Sequence, residues 1–167
     1  MKAFLTFLLS FIFISVSFAQ VPKNWKYSQS KDKISGLTSK SLTSKSLNAI
    51  HLSFPYQGIN YGHLKIEENG SVNVILELDR GQLNKYEEMS IDVKFDGDPD
   101  ESYVCSVGDA GDKYLMIKDA KRFIERLATA KKIMIEPDVY KDGGQILYFN
   151  VTGFDIKRFN MDLASNW

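Results

Sequence analysis

From residue 46 onward apolar and polar positions alternate with a period of two. Ile50, Leu52 and Phe54 share one face, with His51 and Ser53 on the other. Leu64 and Ile66 alternate with His63, Lys65 and Glu67, and Val72, Val74, Leu76 and Leu78 alternate with Ser71, Asn73 and Glu77. Ile91, Val93 and Phe95 repeat the pattern, as do Tyr103, Cys105 and Val107. Side chains of an extended chain point to opposite faces in turn, so each run predicts a strand with one buried face. Shorter strands are predicted over 114–117, 133–135 and 146–151, the last with both faces buried. Pro137 ends the second, because proline cannot donate into a ladder. Asn69-Gly70 predicts a type I′ hairpin turn, which needs positive φ at both central residues.

One segment changes period. Phe123, Ile124, Leu127 and Ala128 fall at helical spacing behind Asp119, a side chain suited to the N-cap, and Lys131 and Lys132 close the run. This predicts a helix over about 118–131. Many short strands and one helix predict a mainly β fold, an antiparallel β-sandwich with one packed α-helix. A helix-capped, curved antiparallel sheet is the alternative.

The first residues follow another rule. Lys2 precedes a run of about 13 apolar-rich residues, the length of a signal-peptide core and short of the ~20 that span a bilayer. Ser17-Phe18-Ala19 supplies small residues for cleavage before Gln20. The expected organisation is a signal peptide over 1–19, an extended lead-in segment over 20–45 and a single β-rich domain over 46–167. The expected location is periplasmic or secreted, with no membrane span left after cleavage. Trp25 and Tyr27 are expected to pin the lead-in segment to the core. Within it Thr38-Ser39-Lys40-Ser41-Leu42 repeats at once as Thr43-Ser44-Lys45-Ser46-Leu47, a local duplication that suits an edge strand or loop.

Composition narrows the chemistry. The 21 basic residues equal the 21 acidic ones, so the basic footprint of a nucleic-acid-binding domain is missing. The single cysteine, Cys105, excludes an intramolecular disulfide, and its apolar neighbours suit a buried, inert thiol. His51 and His63 fall on outward strand faces with no nucleophile assigned to them. No spacing of Cys and His suits zinc. Asp96-Gly97-Asp98-Pro99-Asp100-Glu101 alternates carboxylates as a calcium loop does, with Asp109 and Asp112 nearby. Glu101 and Val107 stand where an EF-hand needs glycine and glutamate, so the segment reads first as an acidic turn. Glu77, Glu87 and Glu88 cannot be paired as glycosidase acids from sequence. No catalytic residue, cofactor or metal site is expected. The loop Phe54-Pro55-Tyr56-Gln57-Gly58-Ile59-Asn60-Tyr61-Gly62, with Tyr56 and Tyr61, is the expected partner-binding loop.

Several short motifs carry a resemblance. They are Trp25 with Asp32-Lys33-Ile34-Ser35-Gly36, Phe54-Pro55-Tyr56 before Leu64-Lys65-Ile66, Gly81-Gln82, Val93-Lys94-Phe95-Asp96, Phe123-Ile124-Glu125-Arg126-Leu127, and Phe149-Asn150-Val151-Thr152-Gly153-Phe154 with Trp167. In these the chain resembles small exported proteins of Gram-negative bacteria and their prophages, and distantly the type VI secretion accessory proteins of the TagO kind. Asn84 and Lys85 follow Gly81-Gln82 where such proteins carry a cysteine. The resemblance implies an envelope location and a non-catalytic role, and it transfers no catalytic residue. The expected function is therefore binding to another envelope protein. A prophage or secretion-linked inhibitor and an envelope-polymer hydrolase are the alternatives, and the oligomeric state is open.

Overall fold

The computed structural model describes residues 24–84, 89–107 and 113–159. The expected signal peptide, together with Glu87, Glu88, Asp109, Asp112 and Trp167, lies outside them. In chain order the elements are β1 (Lys26–Lys31), β2 (Thr38–Lys45), β3 (Ile50–Leu52), β4 (Gly58–Asn60), β5 (Gly62–Glu68), β6 (Val72–Leu78), β7 (Met89–Phe95), β8 (Glu101–Val107) and β9 (Tyr114–Ile117). Helix α1 (Ala120–Leu127) follows, then β10 (Lys132–Glu136), β11 (Asp138–Val139), β12 (Gly143–Gly144), β13 (Leu147–Asn150) and a 3-10 turn over Ile156–Phe159. Nine strands form one antiparallel sheet in the order β1-β2-β5-β6-β9-β8-β7-β10-β13, with β3–β4 and β11–β12 as small hairpins beside it.

The period-two pattern sets the inner face. Leu64, Ile66, Val74, Leu76, Leu78, Ile91, Val93 and Leu115 are fully or almost fully buried, while the polar residues between them face outward. The sheet folds over so that its two halves share this core, the mainly β, sandwich-like packing that the pattern predicts. Its ends almost meet. Leu47, just past β2, donates its N–H to the Tyr148 carbonyl of β13 (2.7 Å). The Asn48 carboxamide donates to the Ile146 carbonyl and accepts from the Tyr148 N–H, both at 2.8 Å, and so imitates a further residue of the ladder. Gly62 leaves room for this return, since a Cβ there would lie 2.5 Å from Leu147 Cδ1. Trp25 seals the gap where β13 and β2 diverge. It donates Nε1–H to the Val151 carbonyl and packs on Phe154.

The described part of the lead-in segment, residues 24–45, thus supplies two strands of the same sheet. Trp25 is buried and Tyr27 is 38% exposed. The duplicated pentapeptide has a simple consequence. Five is odd, so equivalent residues of the two copies face opposite ways. Leu42 is 0% exposed and Leu47 is 63% exposed.

The helix closes the other end of the core. Asp119 accepts from the Arg122 N–H as its N-cap, and Phe123, Ile124 and Leu127 are buried. The helix is shorter than the predicted 118–131. Thr129 and Ala130 both donate to the Arg126 carbonyl, which winds up the last turn, and Lys132 already begins β10. The Asn69-Gly70 turn also differs. Glu68 pairs with Val72 around a three-residue loop in which Gly70 alone has positive φ (75°), so the turn is not type I′. β13 buries one face rather than two, with Leu147 and Phe149 inside and Tyr148 outside.

Candidate functional site

Among the described residues, the end of the sheet opposite the helix is built from three loops, over 46–61, 79–84 and 137–146. Each is held by a polar contact that replaces a ladder. In the first loop β3 stops at Leu52, and Tyr56 donates its N–H back to the Ser53 carbonyl. Buried Asn60 donates its carboxamide N–H groups to the Tyr56 and Gly58 carbonyls, at 3.2 and 3.1 Å. The Asp142 carboxylate accepts from the Ser53 N–H (3.1 Å) and hydroxyl (2.7 Å), tying the first loop to the third. Gln82 joins the second, accepting from the Tyr140 N–H through its carbonyl (2.8 Å) and from the Tyr56 hydroxyl (3.5 Å). Leu83 and Val139 bridge beneath them. Gly81, at φ +106°, lies against Leu52, where a Cβ would come within 2.7 Å of Cδ1.

Tyr56 is half-buried and packs on the core. Tyr61 is half-buried too, with the Lys45 ammonium 3.4 Å from its ring centroid. Tyr61 begins a small polar cluster in which the Asp79 carboxylate accepts from the Tyr61 N–H (3.2 Å) and lies 2.7 Å from His63 Nε2. Burial pushes the Asp79 carboxyl upward. The contacts from His63, the Tyr61 N–H and Lys45 outweigh it and hold the group below its ordinary range.

The projecting apolar groups are others. Phe54 is 71% exposed and Ile59 is 62% exposed. Phe54 was expected on the inner face with Ile50 and Leu52. The alternation stops with the strand, and the turn after Leu52 swings Phe54 outward. Leu47, Tyr140, Ile146 and Tyr148 are exposed around the same end. Leu47 and Tyr148 also lead into a groove of about 300 Å³ that runs beside Asn48, Lys132 and Phe149. The hairpin register explains the exposure of Ile59, which pairs with His51 and faces opposite to buried Ile50 and Asn60.

The other sequence candidates do not converge here. His51 lies on the β3–β4 hairpin and His63 on β5, in separate sheets. Cys105 is buried, and burial pushes its thiol up to about 12. A thiol reagent at neutral pH should therefore label the native protein at least ten times more slowly than the unfolded chain, and equal rates would contradict the placement. Because the folded thiol titrates above the unfolded one, its contribution to stability is complete below the unfolded range. That contribution fades as pH rises from ~9 towards 12.

The acidic segment 96–101 has a structural occupation. The Asp96 carboxylate accepts from the Lys131 and Lys132 N–H groups, Asp98 and Glu101 hold Arg126 at 2.7 and 2.6 Å, and Asp100 meets Lys94 at 3.2 Å. These carboxylates latch the helix and β10 to the sheet. Among the described residues no group of three or more His, Cys, Asp or Glu side chains is placed to hold a metal ion. None of the described helices is long and apolar enough to cross a membrane. The chain matches no protein-family model, no curated protein and no solved structure.

Proposed function

We propose that this protein is an exported, non-catalytic binding protein that grips another envelope protein with the loop end of its sheet. The observation that carries the reading is the exposure of Phe54 and Ile59 on a hairpin clamped at both ends. Large apolar side chains on loops with little freedom to lose are the groups that anchor protein interfaces. Leu47, Tyr140 and Tyr148 extend the apolar surface around them. The N-terminal apolar run supports export. The Cys105 thiol is buried and the acidic turn is engaged with Arg126 and the Lys131 and Lys132 N–H groups, so the reading rests on the exposed loop end. An inhibitor or protector is the special case in which the partner is an enzyme. The clamped hairpin supports that reading as well, since pre-organised loops enter clefts with little rearrangement.

The double variant Phe54→Asp/Ile59→Asp tests the surface. Both side chains are mostly solvated already, so the thermal midpoint should stay within a few degrees of wild type. Capture of the envelope partner should fall at least tenfold, the loss expected when two anchors are replaced by buried charges. Undiminished capture by the folded double variant would refute this surface.

A further inference from the structure

The formal charges cancel over the whole chain but not along it. Residues 24–46 carry five lysines, Lys26, Lys31, Lys33, Lys40 and Lys45, against one acid, Asp32. Residues 47–167 carry 14 basic and 20 acidic side chains. The β1–β2 hairpin is thus a basic arm on an acidic body. Its tip stands clear of that body. Every residue from Lys26 to Thr38 is exposed, and Leu42 is the first of β2 to be buried.

The turn between the two strands is tied from within. Asp32 donates its N–H to the Leu37 carbonyl (2.8 Å), and its own carbonyl accepts from the Gly36 N–H (3.0 Å). The Asp32 carboxylate accepts from the Ser35 and Ile34 N–H groups, at 2.6 and 2.8 Å, and from the Ser35 hydroxyl. These bonds hold the carboxyl below its ordinary range, so the one acid of the arm is committed to the turn. Two large apolar side chains project from this turn. Ile34 is 99% exposed and Leu37 is 58% exposed, with Lys31 and Lys33 exposed beside them. Glu67 and Glu68, at the adjoining end of β5, are paired with Lys65 and Lys40 at 3.2 and 3.3 Å.

We propose that this tip docks on a bilayer that carries anionic lipid, with Ile34 and Leu37 entering the headgroup layer and Lys31 and Lys33 lying against its phosphates. Single apolar side chains on a surface are ordinary. Two on one tied turn, flanked by cations, make an amphiphilic tip. The charge draws the arm to the surface, and lysine stems enter it while their ammonium groups stay among the headgroups. An acidic protein or polysaccharide would be met by the lysines alone, whereas Ile34 at the apex favours a surface that it can enter. The tip lies at one end of β2 and the loop end at the other, about 25 Å away along eight residues. Both surfaces can be occupied at once, and the docking does not rest on the partner reading.

The test is vesicle flotation at ~0.15 M salt, where only nearby charges are felt. The whole protein, as recovered from the producing cell, is mixed with vesicles of phosphatidylcholine alone or of phosphatidylcholine with phosphatidylglycerol. It should float with the anionic vesicles and not with the neutral ones. A lysine near such a surface contributes about fivefold in affinity, so Lys33→Glu, which removes an attraction and adds a repulsion, should weaken binding by at least about tenfold. Lys141→Glu makes the same change in net charge on an exposed loop at the other end, and should alter binding by less than about twofold. Ile34→Ser/Leu37→Ser should also weaken binding by at least about tenfold. Both side chains are exposed, so its thermal midpoint should stay at that of wild type. No flotation would overturn the proposal, as would flotation with neutral vesicles that every variant keeps. So would binding to anionic vesicles that Lys33→Glu abolishes and Ile34→Ser/Leu37→Ser leaves intact, which would make the arm a contact for polyanions rather than for a bilayer.

Discussion

Phe123→Ala is expected to destabilise the fold by about 3–5 kcal/mol. Phe123 is fully buried and meets Phe95 at 5.5 Å and Tyr103 at 5.3 Å, both edge-on, while those two rings lie 6.3 Å apart. The substitution removes transfer energy and leaves a cavity, and it also loses two aromatic contacts of about 0.5–1.5 kcal/mol each. The helix makes the effect cooperative. Eight residues are too few to stay helical in water alone, so α1 persists through its buried face and its latch to Asp98 and Glu101. Urea unfolding should show a lowered midpoint with an unchanged slope. A loss below 1 kcal/mol would mean that the aromatic cluster is not what holds the helix.

Trp25→Ala is expected to cost about 3–5 kcal/mol as well, for a different reason. Trp25 fills the seam between the two ends of the sheet, with its ring 5.1 Å from Phe154 and its N–H on the Val151 carbonyl. Trp25→Phe keeps most of the apolar volume and drops the hydrogen bond, so it should lose only about 1–2 kcal/mol. Equal losses from the two variants would show that the bond rather than the packing closes the seam. Hydrogen exchange should place the added opening in β1 and β13 and leave the amides of β5 and β6 protected.

The strands of the main sheet were legible because each buries one face, and a side chain's facing follows from its position alone. Cys105 was legible as inert for the same reason. Strand order was not, since pairing β6 with β9 or β7 with β10 depends on contacts far apart in sequence. Asn48 shows the limit well. Nothing local marks it, yet its carboxamide completes the ladder at Tyr148. The acidic segment could be read as a turn, but the donors that hold it, the Arg126 guanidinium and the Lys131 and Lys132 N–H groups, lie some 30 residues away. Local rules failed at element ends. Phe54 fits the alternation until the strand stops one residue pair too soon, and the helix gives out when its chain must enter β10. Tyr56 and Tyr61 drew attention in the loop by type, whereas the structure leaves Phe54 and Ile59 the more exposed of its large side chains.

The central claim, that the loop end meets a protein partner, is tested most directly by site-specific photo-crosslinking in the producing cell. A photoreactive side chain is placed singly at Phe54, Ile59 or Val104, the last an exposed position on the outer face of β8. The account predicts one shared adduct from the two loop-end positions and none from Val104. Adducts from Val104 with none from Phe54 or Ile59 would contradict it.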